Sequence, residues 1–168
     1  MPSSLFTTIK LRDLPLANRI VVSPMCQYSA NDGVASDWHV THLGMLANSG
    51  AALVVVEATH VERHGRITHG CPGLWNDQQT QDFQRITQWV HTQSDAKIGL
   101  QIGHAGPKGS TCRPWQGAGM DQPVPADDPE GNWPLLAASA QPYLAHGDVP
   151  RAMTRADMDC VTADFVAA

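Results

Sequence analysis

Apolar residues along this 168-residue chain fall into short continuous runs and stripes at helical spacing, and the two kinds alternate. Ile20-Val21-Val22 is a short apolar strand closed by Ser23-Pro24. Residues 38–49 then carry Leu43, Leu46 and Ala47 on one helical face, with Ser36 or Asp37 able to cap the start and Gly50 to stop it. Residues 51–58 form an apolar run bounded by polar residues, which fits a parallel strand buried on both faces. Asn76 or Asp77 can cap a second helix, in which Phe83, Ile86, Trp89 and Val90 recur at helical spacing. Residues 97–102 make a third strand. Strand, helix, strand, helix, strand in that order predicts an α/β fold with right-handed crossovers.

The flanking regions differ. Residues 10–20 read as two short strands around Asp13-Leu14-Pro15, and Asn31-Asp32-Gly33 is a turn signal. Residues 103–150 are dense in Gly and Pro, lack periodicity and are too long for an ordinary connection, so they read as a functional excursion. Trp115, Trp133 and Tyr143 within it favour order, and a lid over the third strand end is expected. Thr154 with Asp157 resembles a capping box. Met158, Val161 and Phe165 continue it as an amphipathic helix that reaches Ala168 without a stop signal.

Composition narrows the partners. At 42% hydrophobic residues the chain can build a sizeable core, and its length predicts one domain. A formal charge of −5 with no block of Lys or Arg argues against nucleic acid or a membrane surface. No apolar run is long enough to cross a bilayer, and Met1-Pro2-Ser3-Ser4 lacks the character of a signal peptide. A cytoplasmic protein is expected. Cys26, Cys71, Cys112 and Cys160 lie far apart with no C-x-x-C pair, so free thiols are the expectation.

Three motifs stand at predicted strand ends: Ser23-Pro24-Met25-Cys26-Gln27-Tyr28, Glu57-Ala58-Thr59, and Gln101-Ile102-Gly103-His104-Ala105-Gly106. Together, in order, they resemble the Old Yellow Enzyme family of NAD(P)H:FMN oxidoreductases (ene-reductases), in the cysteine-containing, xenobiotic-reductase-like subgroup. The resemblance implies a (β/α)8 TIM barrel, whose active site is built from the C-terminal ends of its strands. A complete barrel needs about 250 residues. Residues 1–168 are therefore expected to be the N-terminal portion of one FMN-binding barrel domain: the first three βα units, an N-terminal hairpin plugging the barrel floor, and the excursion after strand 3.

Site roles follow from the same resemblance. Ser23, Pro24, Met25 and Cys26 would run alongside the flavin, Ala58 would let the ring lie close to the second strand, and Gln101 would meet its pyrimidine edge. Gln101 can both donate and accept there, which a carboxylate cannot. Pro24 keeps Ser23 extended and removes one amide. Cys26 would tune the flavin through a weak thiol donor, and Tyr28 would aim its hydroxyl at the substrate. Taken alone, Cys26 reads equally as a buried core cysteine, Tyr28 as a packing aromatic and Ala58 as tight packing. Gly103, Gly106 and Gly109 do not follow a dinucleotide fingerprint. His39 and His42 share a predicted helix face but have no third ligand, so they are expected to be structural and no metal is expected. His60, His64 and His69 read as parts of a solvated loop, and His104 as a hydrogen-bonding rim residue.

The implied function is hydride transfer from NAD(P)H through FMN to the activated C=C bond of an enone or related xenobiotic, in a homo-oligomer when full length. The family's substrate-anchoring polar pair and phosphate-binding arginines are not found in residues 1–168. Two alternatives accompany it. Glu130-Gly131-Asn132-Trp133-Pro134-Leu135 and Arg155-Ala156-Asp157-Met158-Asp159 also resemble the reductase portion of aryl-CoA monooxygenases, although Met1 just ahead of the barrel argues for a stand-alone reductase. The chain could equally be a non-catalytic barrel fragment, with an open sheet edge and an exposed inner face.

Overall fold

The computed structural model describes residues 3–116 and 121–168; Met1 and Pro2, on which the reading of the chain start partly rests, lie outside them. An antiparallel hairpin comes first, β1 (Ile9–Leu11) and β2 (Leu14–Leu16). Arg12 sits at φ 51° in its turn, and Pro15 lies inside β2 opposite Lys10 rather than in the turn. The hairpin leads to Asn18, whose amide donates to the Gly50 carbonyl at 2.9 Å and so ties it to the N-terminal end of the sheet.

That sheet is parallel and three-stranded, in the order β3 (Val21–Val22), β4 (Leu53–His60), β5 (Lys97–Gly103). Between its strands run α1 (Asp37–Ala47) and α2 (Asp77–Gln93). Each helix starts where its cap residue stands: Ser36 precedes α1, and the Asn76 side chain accepts from the Gln79 N–H at the head of α2. Leu43 and Ala47 of α1 and Phe83, Ile86 and Val90 of α2 close over Val54 and Val56, with Ile98 and Leu100 packed against them. Fully burying a side chain such as Ile86 (2% exposed) contributes about 1.5–3 kcal/mol. This layer between helices and sheet is the core.

β4 is not a regular strand. Val54 pairs with Ile98 and Val56 with Leu100, but Ala58, not Glu57, pairs with Gln101. The extra residue is a β-bulge at Glu57, which leaves that residue unpaired and resets the side-chain alternation beyond it. Strict alternation after Val55 would have put Glu57 on the face away from the helices. The bulge puts Ala58 there.

The excursion is ordered over its described residues. It includes β6 (Leu136–Ala137) and β7 (Arg151–Ala152), paired in parallel, and it buries Val124, Trp133, Leu135 and Ala137. Its anchor is Arg66 from the loop after β4. The guanidinium carbon lies 5.6 Å from the Trp75 ring centroid and 5.2 Å from that of Trp133, while Nη1 reaches Asp32 at 3.2 Å and Nε donates to the Arg63 carbonyl at 2.8 Å. Asp32 is held in the predicted turn, where Asp32 and Gly33 both have positive φ (45° and 81°), the geometry of a tight two-residue hairpin.

Two of the three histidines read as parts of a solvated loop are not solvated. His60 is buried and its Nδ1 lies 3.2 Å from the Pro72 carbonyl; burial pushes its pKa down to about 4, so it is neutral. His69 is half-buried, with its ring edge-on to Trp133 at 4.8 Å. Only His64 of the three is exposed.

The final helix, α3 (Arg155–Ala167), has the predicted Thr154–Asp157 capping box, and Arg151 adds a two-bond pairing with Asp157. Its apolar stripe, by contrast, is not a core face: Met158 is 43% and Phe165 36% exposed, and none of its residues is buried. α1 and α2 lie on strands that supply Val54, Val56 and Leu100, whereas α3 has no such pair beneath it among the described residues.

Gly73 passes so close to the Trp75 indole that a Cβ there would fall inside the ring. Gly73→Ala should therefore push Trp75 off Arg66 and lower stability by about 1–3 kcal/mol, the usual cost of overpacking. The check is the urea midpoint of the variant against the parent.

Candidate active site

The C-terminal ends of β3, β4 and β5 lie side by side, and the three sequence motifs leave from them. On the face opposite the helices this end presents half-buried Ala58 and exposed Gln101, directly paired, while exposed Ser23 follows the end of β3, where it lines a pocket with His39, His42, Leu43 and Leu46 of α1. One step below, Val55 pairs with Gly99. The surface has a flat apolar floor made of small side chains and a hydrogen-bonding amide at its edge. An amphipathic planar ring needs that combination, so the residues present fit a flavin.

The segment after β3 is held over this floor by its own bonds. The Gln27 N–H donates to Glu57 Oε2 at 2.9 Å, the Gln27 side-chain amide donates to the Met25 carbonyl at 2.8 Å, and Trp38 Nε1 donates to Gln27 Oε1 at 3.2 Å. Met25 is half exposed. Tyr28 follows in the left-handed region, with φ 54°, uncommon and costly for an aromatic residue. Its backbone is crossed so closely by Gly70 that any Cβ at 70 would strike the Tyr28 carbonyl.

Cys26 and Tyr28 are both kept protonated. Burial, reinforced by the nearby Cys71 and Glu57, pushes the Cys26 thiol up to about 11, with the Ala58 backbone amide pulling the other way. Burial, then Cys26 and Cys71, pushes the Tyr28 phenol up to about 12. Both are neutral donors near pH 7, and Cys26 lacks the low pKa of a cysteine nucleophile.

Sequence reasoning missed several neighbours. The excursion brings Trp115, 66% exposed, edge-on to Tyr28 at 5.9 Å. Lys108 sits 3.1 Å from Asp121 with its ammonium 5.2 Å from the Tyr143 ring. His104, expected as a hydrogen-bonding rim residue, is one: its Nε2 meets Glu62 at 2.6 Å while its Nδ1 accepts the Gly106 N–H, bracing the rim between the loops after β4 and β5. His39, expected to be structural, is buried, with Nδ1 accepting the Ser36 N–H at 3.0 Å and Nε2 lying 3.3 Å from Glu57 Oε1. The signal for that last contact in the chain is a carboxylate, Glu57, set in an otherwise apolar strand. The exposed aromatic residues of the excursion carry no such mark.

A sequence profile described as the NADH:flavin oxidoreductase / NADH oxidase family matches residues 4–168. This chain belongs to that family. It is 43% identical over 169 residues to an NADH:flavin oxidoreductase of Gibberella zeae, covering 99% of this chain and 40% of that protein. It is 37% identical over 165 residues to an NADPH dehydrogenase of Listeria monocytogenes, covering 97% and 43%. Among solved structures it superposes on TcOYE in complex with pHBA at a TM-score of 0.78, with 26% identity, covering 98% of this chain and 46% of that one. An old yellow enzyme homologue from Zymomonas mobilis, at 24% identity and a TM-score of 0.75, shares the fold over 97% of this chain and 43% of its own. The chain thus spans less than half the length of these family members, and its three βα units are part of a (β/α)8 barrel.

Because the Cys26 thiolate appears only as pH climbs toward 11, about one thiol in a thousand is ionised at pH 8. Iodoacetamide at pH 8 should label exposed Cys160 first and leave Cys26 nearly untouched, with the Cys26 rate rising about tenfold per pH unit up to pH 10. Peptide mass spectrometry across that range checks it. Equal labelling of Cys26 and Cys160 at pH 8 would contradict a buried neutral thiol.

Proposed function

We propose that residues 1–168 are the N-terminal portion of one FMN-binding barrel domain, and that the full-length protein is an ene-reductase. It would oxidise NAD(P)H and reduce the activated C=C bond of an enone or related xenobiotic. The observation that carries this reading is the pairing of Ala58 with Gln101 at the strand ends, with Cys26 and Tyr28 nearby as neutral donors.

A bound FMN would supply the hydride chemistry between NAD(P)H and the acceptor's β-carbon. The remaining work belongs to the protein. Ser23 to Cys26 would hold the ring's edge, Ala58 would admit it close to β4, and Gln101 would pair with its hydrogen-bonding edge. Cys26 keeps a weak donor beside the ring and so biases its reduction potential. Tyr28, protonated, donates toward the acceptor's carbonyl oxygen, where negative charge develops as the β-carbon takes the hydride. A proton then adds at the α-carbon, so NAD(P)H, a proton and the enone give NAD(P)+ and the saturated ketone. Trp115 and Tyr143 wall the side from which a planar acceptor would enter.

The sheet as it stands favours the barrel-portion reading. β3 and β5 each have one neighbouring strand among the described residues, whereas a closed barrel pairs every strand on both edges. Glu130 pairs with Arg113 and Trp133 stacks on Arg66, so both are occupied in building the excursion and give no separate support to an aryl-CoA monooxygenase partner domain.

The test is the purified full-length protein. It should be yellow, turn over NAD(P)H anaerobically beyond the single reduction of its flavin only when a cyclic enone is present, and yield the saturated ketone stoichiometrically. Flavin reduction without turnover of any enone would reject the ene-reductase assignment while leaving the family intact. In the same protein, Gln101→Leu should weaken FMN binding by roughly 1–3 kcal/mol, the cost of burying the ring's polar edge without a partner. Its melting behaviour should stay near the parent's, because Gln101 is exposed in the sheet. The FMN dissociation constant by fluorescence titration decides it.

A further inference from the structure

The side chain of Glu57 is only 2% exposed, and it stands at a β-bulge in an otherwise apolar strand. Burying a carboxylate is expensive, and a buried ionic group is weak evidence for stability, since an apolar residue of the same volume often serves the fold better. The polarity of its surroundings explains why a carboxylate is used. On one side, the Ser36 N–H donates to His39 Nδ1 at 3.0 Å, so the ring proton sits on Nε2, which lies 3.3 Å from Glu57 Oε1 without the alignment of a full hydrogen bond. On the other, the Gln27 N–H donates to Oε2 at 2.9 Å. Donors approach from both ends. A carboxylate offers an acceptor to each, bonding the Gln27 N–H and setting an anionic oxygen beside the His39 N–H; a glutamine must present its NH2 to one of the two.

The Gln27 amide belongs to the peptide that joins Cys26 to Gln27, directly before Tyr28. Anchoring it fixes the direction in which Cys26 leaves the strand end and helps hold Tyr28 at φ 54°. Because Glu57 is also the residue before Ala58, one carboxylate locks the segment over the ring to the strand under it.

We propose that Glu57, oriented by His39, is a positioning residue that sets the placement of Cys26 and Tyr28 relative to the flavin. This rests on the flavin reading above. It acts through those two side chains and touches neither cofactor nor substrate.

The test uses two double-mutant cycles in the full-length holoenzyme. Glu57→Gln should retain FMN, shift the flavin midpoint potential and slow enone-dependent oxidation of the reduced enzyme about tenfold or more, the worth of one charge-assisted bond. If Glu57 acts through its neighbours, the potential shift disappears in a Cys26→Ala background, and the rate loss falls to within about twofold in a Tyr28→Phe background. Additive effects in both cycles would overturn the proposal, because a general loosening of the fold costs the same in every background. Should Glu57→Gln fail to fold, Trp38→Phe removes the Nε1 bond to Gln27 from a residue 52% exposed. It should shift the potential in the same direction by less, and no shift would again overturn the role. An enzyme that reduces no enone sinks the ene-reductase reading alone, since the potential cycle with Cys26 still reports on Glu57.

Discussion

A single extra residue in β4 organises this end of the molecule. Without the bulge, the acidic side chain of Glu57 would occupy the position paired with Gln101, and a charge would stand in the middle of the surface that fits a flavin. With it, the methyl of Ala58 takes that position and the carboxylate turns toward α1, where Gln27 and His39 meet it. Floor and overhang are thus set by one backbone irregularity. Bulges beside active sites re-aim side chains in this manner, and here two neighbouring residues exchange faces.

The loops above the strand ends depend on a second device. Arg66 is buried between two indoles and bound to Asp32, so the turn after β3, the loop after β4 and the excursion after β5 converge on one guanidinium. A lysine could not reproduce this, since the planar fork both stacks and bonds in-plane. The consequence for the site is indirect. The excursion is held on one flank by Trp133 and on the other places Trp115 against Tyr28 and Tyr143 over Lys108.

Much of the architecture was legible because it rests on local rules. Periodic apolar positions located α1 and the three parallel strands to within two residues and fixed the start of α2, and caps at Ser36, Asn76 and Thr154 stood where side-chain oxygens were available. The residues expected at the site do come together in space: Ala58 pairs with Gln101, and Cys26 feels the Ala58 amide. What could not be read were features set by tertiary contact. The bulge has no sequence signature beyond a misplaced acid. The burial of His60 depends on residues 72–74 folding back along the end of β4, which no periodicity reveals. The stripe of α3 shows the converse failure, since amphipathic spacing predicts a face able to pack and not the surface that receives it.

The Arg66 stack also bears on the order in which the molecule can be assembled. Arg66 and Trp75 leave the ribosome well before Trp133. The second face of the guanidinium stack therefore becomes available only after β5 and most of the excursion have been synthesised. Strands and helices close over their core early, from nearby sequence. The stack on Arg66 is completed only when the second indole arrives. Vectorial synthesis thus supplies the β3–β5 sheet before the last residues that anchor the excursion to it.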